Sequence, residues 1–515
     1  MPVARCLGLV FSTTECGIAA IGADAAEAYV KLPMRGATEW HGAPGFDLTH
    51  VPTMLAELLD QLRAAGWDLS RSGYLSQAWR QHDLVVVDHQ GEPLLPALSW
   101  QANQGADLAE RLNTIPGFRQ AVGIVEARFV AAKLPWVWAT AAAAGQPLAH
   151  THRAMLSGDW LAGRLTGNWR LSASDALCNG LLRQADKSLA TAELREADQL
   201  LGGGLDPALF PPVIASDGVV GTVDTTAPGA TPGGGPWRKL AAALEGWQVA
   251  AALGDNQASA AGCGAAEHDT VVVSLGTSGT VNHPVPPPTA APPDDSDDTD
   301  ADSTASIAPA PAILGFEYWQ DRLRLLMLPD CAAWYEGFLR DSGIAATAAA
   351  APAPDHAALN RLAAEGVADA IRLADGLPSP QLAALPAPAQ VASTQTSIAL
   401  EMLRLLRHMI ATAEQPVTRV VLTGGLSRAP LIRAVLQAGV RAILGDGATT
   451  LQNARGGDLA FKTDALGALI NADAAATGQP VNRTIAAHRQ WLPCPAVDPA
   501  LLPHVERMVT DELSR

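Results

Sequence analysis

Short apolar runs and amphipathic stretches alternate along most of the chain. Residues 7–11 read as a buried strand, Ser12, Thr13, Thr14 and Glu15 as a polar turn, and residues 18–21 as a second strand. Strand, polar turn, strand predicts a hairpin. A helical spacing covers residues 51–65, and residues 84–88 form a strand that stops at His89-Gln90-Gly91. From Ala106 to about Gly204 apolar residues recur at three- and four-residue intervals, the period of helices that bury one face.

Residues 218–235 are rich in Gly, Pro and Thr and read as loops. A helix over 237–245 leads into a strand over 248–253, which stops at Gly254-Asp255-Asn256 before a small-residue helix over 257–263. A buried strand over 271–274 runs into Leu275-Gly276-Thr277-Ser278-Gly279-Thr280. Near the end come a strand over 419–423, Gly424-Gly425, a helix over 427–436 with Ser427 as its N-cap, and a helix over 464–472. Strands alternating with helices in both halves indicate α/β domains.

Length and composition sharpen this picture. A chain of 515 residues, 48% of them hydrophobic, exceeds one core and suggests two domains of roughly 250 residues. Residues 284–312 are Pro-, Ala-, Asp- and Ser-rich with little to bury, and are expected to form a disordered insertion; residues 345–357 are a weaker second case. Acidic residues outnumber basic ones, 52 to 35, which argues against a nucleic-acid or anionic-membrane surface. The six cysteines show neither Cys-x-x-Cys nor metal-ligand spacing, which suggests a reduced compartment without structural zinc. The apolar run after Met1 is interrupted at Ser12, so no signal peptide is expected, and no apolar stretch approaches a membrane span. A cytoplasmic protein is the expectation.

Three segments carry candidate chemistry. The turn at 275–280 offers glycines that admit a phosphate close to the backbone, with hydroxyls from Thr277 and Ser278; taken alone, such a turn is more often a plain hairpin. Gly424-Gly425 leaves room for a flat ring beside a helix N-terminus; a tight strand-to-helix connection is the alternative. Asp255 is placed either to cap a helix or to act as a general base at a strand end, and the two roles are compatible. Neither Gly-Lys-Ser nor Gly-Lys-Thr occurs, so no Walker A loop is present.

The order of these pieces resembles the FGGY family of carbohydrate kinases, and within it the xylulokinases. Lys133-Leu134-Pro135-Trp136-Val137, the Leu161–Asp175 segment and Asp464-Ala465-Leu466-Gly467-Ala468 are also similar to that family, so the resemblance extends from about residue 7 to 472. It implies two actin-like, ribonuclease H-like ATPase domains flanking a nucleotide cleft: an N-terminal sugar-binding domain, 1–245, and a C-terminal nucleotide-binding domain, 246–515. The cofactors implied are ATP and Mg²⁺. By the same resemblance Ser12, Thr13, Thr14, Gly276, Thr277 and Ser278 hold phosphates, and Gly424, Gly425 and Ser427 hold adenosine. Gln81, His82, Asp255 and Asn256 would hold the sugar, His82 as a hydrogen-bond donor to a hydroxyl, with Asp255 as catalytic base and candidate metal ligand. The implied reaction phosphorylates a primary hydroxyl of a ketopentose, D-xylulose being the expected sugar. The partners expected are therefore a sugar and ATP, with no nucleic acid and no membrane, in a monomer or homodimer.

The sequence departs from the family pattern at definite places. Val10 stands where the family has an acidic residue at the end of the first strand, Ser12 where it has a glycine, and Ala102 where an Asp follows Trp100. The family's second Gly-rich signature is not recognisable near 381–397. Alternatives are a weakened sugar- or nucleotide-binding relative, a phosphohydrolase of similar fold, and a kinase of another sugar or polyol.

Overall fold

The computed structural model describes residues 2–146, 148, 150–225, 235–276, 278–287, 313–329, 331–344, 356–373, 380–455 and 457–514. Two seven-stranded sheets dominate. The first contains β1 (Ala4–Phe11), β2 (Glu15–Gly22), β3 (Glu27–Pro33), β4 (Tyr74–Trp79), β5 (Val219–Thr222), β6 (Gln248–Ala250) and β7 (Leu253–Gly254). Its order is β5-β6-β4-β1-β2-β3, with β7 also paired to β4. The second contains β8 (Thr270–Leu275), β9 (Gly279–Val285), β10 (Leu314–Tyr318), β11 (Asp321–Leu328), β12 (Arg419–Thr423), β13 (Thr449–Asn453) and β14 (Trp491–Pro493), in the order β10-β11-β9-β8-β12-β13-β14.

The two sheets repeat one plan. In each, a leading hairpin (β1–β2, β8–β9) is antiparallel, and its first strand then pairs in parallel with a later strand (β4, β12). Strands flanked on both sides and covered on both faces read as continuous apolar runs, which is why β1 and β2 lack alternation. A smaller five-stranded sheet includes Leu84–Val87, the strand expected at 84–88.

Helices cover these sheets. Named here are α1 (Val51–Ala64), α2 (Val130–Ala143), α3 (Ser157–Thr166), α4 (Asp255–Gly262), α5 (Ala387–Ala411), α6 (Pro430–Leu444) and α7 (Thr463–Thr477). One apolar cluster fills the N-terminal half around β1, β4 and α1, and another the C-terminal half around β8, β12, α5 and α6. A third joins the sheets: Val10 and Ala19 meet Ala260 of α4, Leu466 and Ile470 of α7, and Val272 and Val421. The helices α4 and α7 thus lie between the halves.

Several sequence expectations are corrected by these elements. The strands β6 and β7, which follow the 245/246 boundary expected between domains, belong to the first sheet and pair with β4. The strand expected over 248–253 is two short pieces. Pro284 and Val285, the start of the expected insertion, pair with Leu323 and Arg322 in β9–β11. Residues 288–312 of that insertion lie outside the described residues. Of the stretch 345–357, residues 356 and 357 open the helix His356–Gly366, and the rest lies outside the described residues. All six cysteines are free. No helix among the described residues is long and apolar enough to cross a membrane.

Candidate active site between the sheets

The parallel strands of both sheets end at one cleft, the usual ligand position in open α/β sheets. The turn after β1 brings Ser12, Thr13 and Thr14; the chain after β4 brings Gln81 and His82; α4 brings Asp255 and Asn256. From the other sheet come Gly276 and Ser278 after β8, and Gly424 and Gly425 after β12. Eleven of the thirteen residues expected in the site therefore line a single space. Thr277 lies outside the described residues.

Ser427 is the exception among the described ones, and it does not line the cleft. It sits in a short 3₁₀ turn, Gly425–Arg428, with its Oγ donating to the Gly424 carbonyl at 2.6 Å. The helix α6 starts later, with Ala429 as its N-cap. Ser427 as N-cap is thus corrected: Gly424 takes a φ of 87°, and the chain tightens before Pro430 can open the helix. A Cβ on Gly424 would also lie 2.5 Å from the Leu275 carbonyl carbon, whereas one on Gly425 meets nothing within 4 Å. Gly424 serves the crossing of two strand ends, and Gly425 leaves open space facing the cleft.

On the other side, Asp255 is the first residue of α4 and Gly254 is its N-cap, which corrects the capping reading. Asp255 Oδ1 accepts from the Asn256 amide at 2.9 Å and stands 3.5 Å from the Gln81 amide. Asn256 Nδ2 donates to Gln81 Oε1 at 2.7 Å, and Gln81 Nε2 donates to Gln257. Burial, then the nearby charge of Asp464, pushes the Asp255 carboxyl up to about 7, against the opposing pull of the two amides. A carboxylate in that range is well suited to take a proton near neutral pH.

His82 is held rather than free. Its φ is 72°, unusual for a side chain of this size, and its carbonyl accepts from the buried Lys133 Nζ at 2.5 Å. Lys133 also donates to the Ser99 carbonyl at 2.7 Å, so this lysine pins two loops from within α2. The His82 ring stacks on Phe129 at 4.8 Å, with Nδ1 3.1 Å from Asn179 Oδ1. Asn179 Oδ1 also accepts from the Val130 amide, so it is the acceptor, and the ring proton belongs on Nδ1. Burial, with Arg128 and Lys133 nearby, holds the imidazole well below its ordinary range. His82 is therefore neutral, with Nε2 left as an acceptor. This revises the expectation that it donates to a sugar hydroxyl.

The sequence reading passed over several lining residues: Trp100, Arg128, Ser259, Lys462, Thr463 and Asp464. Trp100 Nε1 donates to Thr13 Oγ1 at 3.3 Å, tying Trp100 to the turn after β1. Lys462 bonds Glu15 at 2.8 Å. Asp464 is an acid in the first turn of α7, a position readable from sequence, but its place in the cleft depends on tertiary packing. No group of three or more His, Cys, Asp or Glu able to hold a metal occurs among the described residues. Asp255 and Asp464 nevertheless fit a magnesium carried in by a nucleotide, since that ion needs one or two carboxylates beside phosphates and water.

Comparison with known proteins follows the same line. No family model matches the chain. It is 34% identical over 230 residues to a xylulose kinase from Streptomyces rubiginosus, covering 44% of this chain and 43% of that one. The match thus spans less than half the relative's length. A crystal structure of a xyloylose kinase from Brucella ovis superposes with a TM-score of 0.72 at 19% identity, covering 99% of this chain and 98% of that one. A gluconate kinase from Lactobacillus acidophilus does so at 0.72 and 13% identity, covering 100% and 97%. Over its whole length the chain has the mixed α/β fold, with two sheet-containing halves, of these two kinases.

Proposed function

We propose that this chain is a carbohydrate kinase of the FGGY type, with actin-like halves, that phosphorylates a primary hydroxyl of a ketopentose. D-xylulose is the expected sugar, giving D-xylulose 5-phosphate and ADP. One observation carries the reading: Asp255 stands in a single cleft with Gln81, His82 and Asn256 on one side and the Ser12–Thr14 turn, Gly276, Ser278 and Gly424-Gly425 on the other. The segmental match to a xylulose kinase supports the choice of sugar.

In this reading Asn256 and Gln81 orient sugar hydroxyls, and His82 Nε2 accepts from one of them. Asp255 accepts the proton of the attacking hydroxyl as its oxygen bonds to the γ-phosphorus. The bond from that phosphorus to the β,γ-bridging oxygen breaks, and ADP leaves with the electron pair. Backbone amides and hydroxyls of Thr13, Thr14 and Ser278 face the charge on the transferring group. Magnesium, held by carboxylates of the cleft, would neutralise phosphate charge. Closure of the halves over bound sugar and nucleotide would exclude water, the competing acceptor.

Arg128 favours a second reading, a kinase of sugar acids. It lines the cleft beside His82, and its Nε is buried without a partner among the described residues, although its Nη2 pairs with Glu126 at 2.5 Å and its Nη1 lies 3.2 Å from Met327 Sδ. A guanidinium there suits a substrate carboxylate. The test is ADP release across ketoses, aldoses, polyols and sugar acids, with a no-sugar control. Release only with ketopentoses supports the first reading, release only with sugar acids the second. Release unchanged by any sugar contradicts both.

A further inference from the structure

Two helices carry acids into the cleft from one shared contact. The helices α4 and α7 cross where glycine alone fits: a Cβ on Gly467 would lie 1.8 Å from the Ala258 carbonyl oxygen, and one on Gly262 1.8 Å from that of Thr463. This crossing places Asp255 and Asp464 in the same wall.

The course of α7 over β1 locates Asp464 further. Cys6 Sγ is 3.9 Å from Asp473 Oδ1, and a Cβ on Gly8 would lie 2.3 Å from the Ala465 carbonyl oxygen. Helix and strand therefore run antiparallel, and the first turn of α7 stands over the end of β1, where the chain enters the Ser12–Glu15 turn. The strand end itself offers no acid, because Val10 is buried among apolar neighbours that include Leu466. Lys462, two residues before Asp464, is tied to Glu15 of that turn.

The two acids differ in their surroundings. Asp255 is engaged by Asn256 and the Gln81 amide, on the sugar side. Among the described residues Asp464 Oδ1 accepts from its own helix alone, the Ala465 amide at 2.9 Å, and Asp464 stands beside the phosphate-side turn. Metal coordination lowers the basicity of a carboxylate, so dividing the two roles between two acids leaves the base its affinity for the sugar proton. We propose that Asp464 holds the magnesium of the bound nucleotide, which leaves Asp255 to act as base. The proposal rests on the kinase reading given above.

The test is the affinity for ADP, by calorimetry, with and without magnesium, in wild type and Asp464→Asn. Asparagine keeps the acceptor for the Ala465 amide, so the helix start is preserved; Asp464→Ser carries the same expectation. Wild type is expected to bind ADP more tightly with magnesium. The substitution is expected to weaken magnesium binding by at least about tenfold while metal-free ADP affinity stays unchanged. Equal magnesium affinity in both proteins overturns the role of Asp464 and leaves the kinase reading standing. A wild type that does not bind ADP, or binds it without regard to magnesium, overturns both.

Discussion

Ser259 Oγ lies 2.8 Å from Thr463 Oγ1, a hydrogen bond that ties α4 to the first residue of α7 across 204 positions of sequence. Together with the glycine crossing beside it, this bond sets how the two acidic helix starts face the cleft. Gly467→Ala is expected to force the helices apart, because the new methyl would lie against the Ala258 carbonyl. The expected cost is about 1–3 kcal/mol or more, with a larger loss of turnover than of sugar binding. Thermal melting and kcat/KM check it; an unchanged protein would show that the crossing is loose.

The revised state of His82 makes a specific prediction. As a neutral acceptor, it contributes one hydrogen bond to a sugar hydroxyl. His82→Ala should raise KM for the preferred sugar by a factor matching about 1–3 kcal/mol, with little effect on ATP. His82→Asn, which tolerates the left-handed backbone, should stay folded and share the defect. Equal weakening toward sugar and nucleotide would remove His82 from the sugar pocket.

Asp159 gives a pH dependence of stability outside the cleft. It lies in the first turn of α3, is 3% exposed, and accepts from the Ser172 amide at 3.0 Å, while Oδ2 has no partner among the described residues. Burial pushes its carboxyl up to about 8, against that one amide. The folded state therefore keeps a proton that the unfolded chain releases in the ordinary carboxylate range. Stability from this group is full below that range and falls as pH rises to about 8, by at most about 1.4 kcal/mol per pH unit. Asp159→Asn should match wild type only below about pH 4 and exceed it increasingly toward pH 9 in denaturant melts. Parallel curves would contradict the assignment.

Val10 supplies a rescue experiment. An Asp at this position would sit below the start of α7, at the strand end that now lacks an acid. In the Asp464→Asn background, Val10→Asp should recover magnesium affinity, at a stability cost of a few kcal/mol for the buried carboxyl. Magnesium titration and melting temperature are the readouts. Lost stability with no recovery would place position 10 out of reach of the metal.

Much of the site was legible because it is built from local signals. An apolar run ending in small or hydroxylated residues marks both the 12–14 and the 276–278 turns, and such junctions carry their meaning in a few consecutive residues. Asp255 and its neighbours were legible for the same reason. Asp464 was not: it looks like any first-turn acid until α7 packs across β1 and against α4, contacts that span 467 and 204 residues respectively. Ser427 failed in the opposite way. A hydroxyl three residues before Pro430 has the composition of a cap, but the positive φ of Gly424 turns the chain early and spends that hydroxyl on a 3₁₀ turn. The proton on His82 could not be placed without Asn179, 97 residues away.

The most direct measurement is the turnover of Asp255→Asn beside wild type, as sugar-dependent ADP release at saturating ATP and magnesium, with sugar binding measured separately. Asparagine can still accept from the Asn256 amide, so folding should be kept. The account predicts a loss in kcat of about 10²–10⁴-fold with sugar still bound. A folded Asp255→Asn protein that transfers phosphate at near wild-type rate would contradict it.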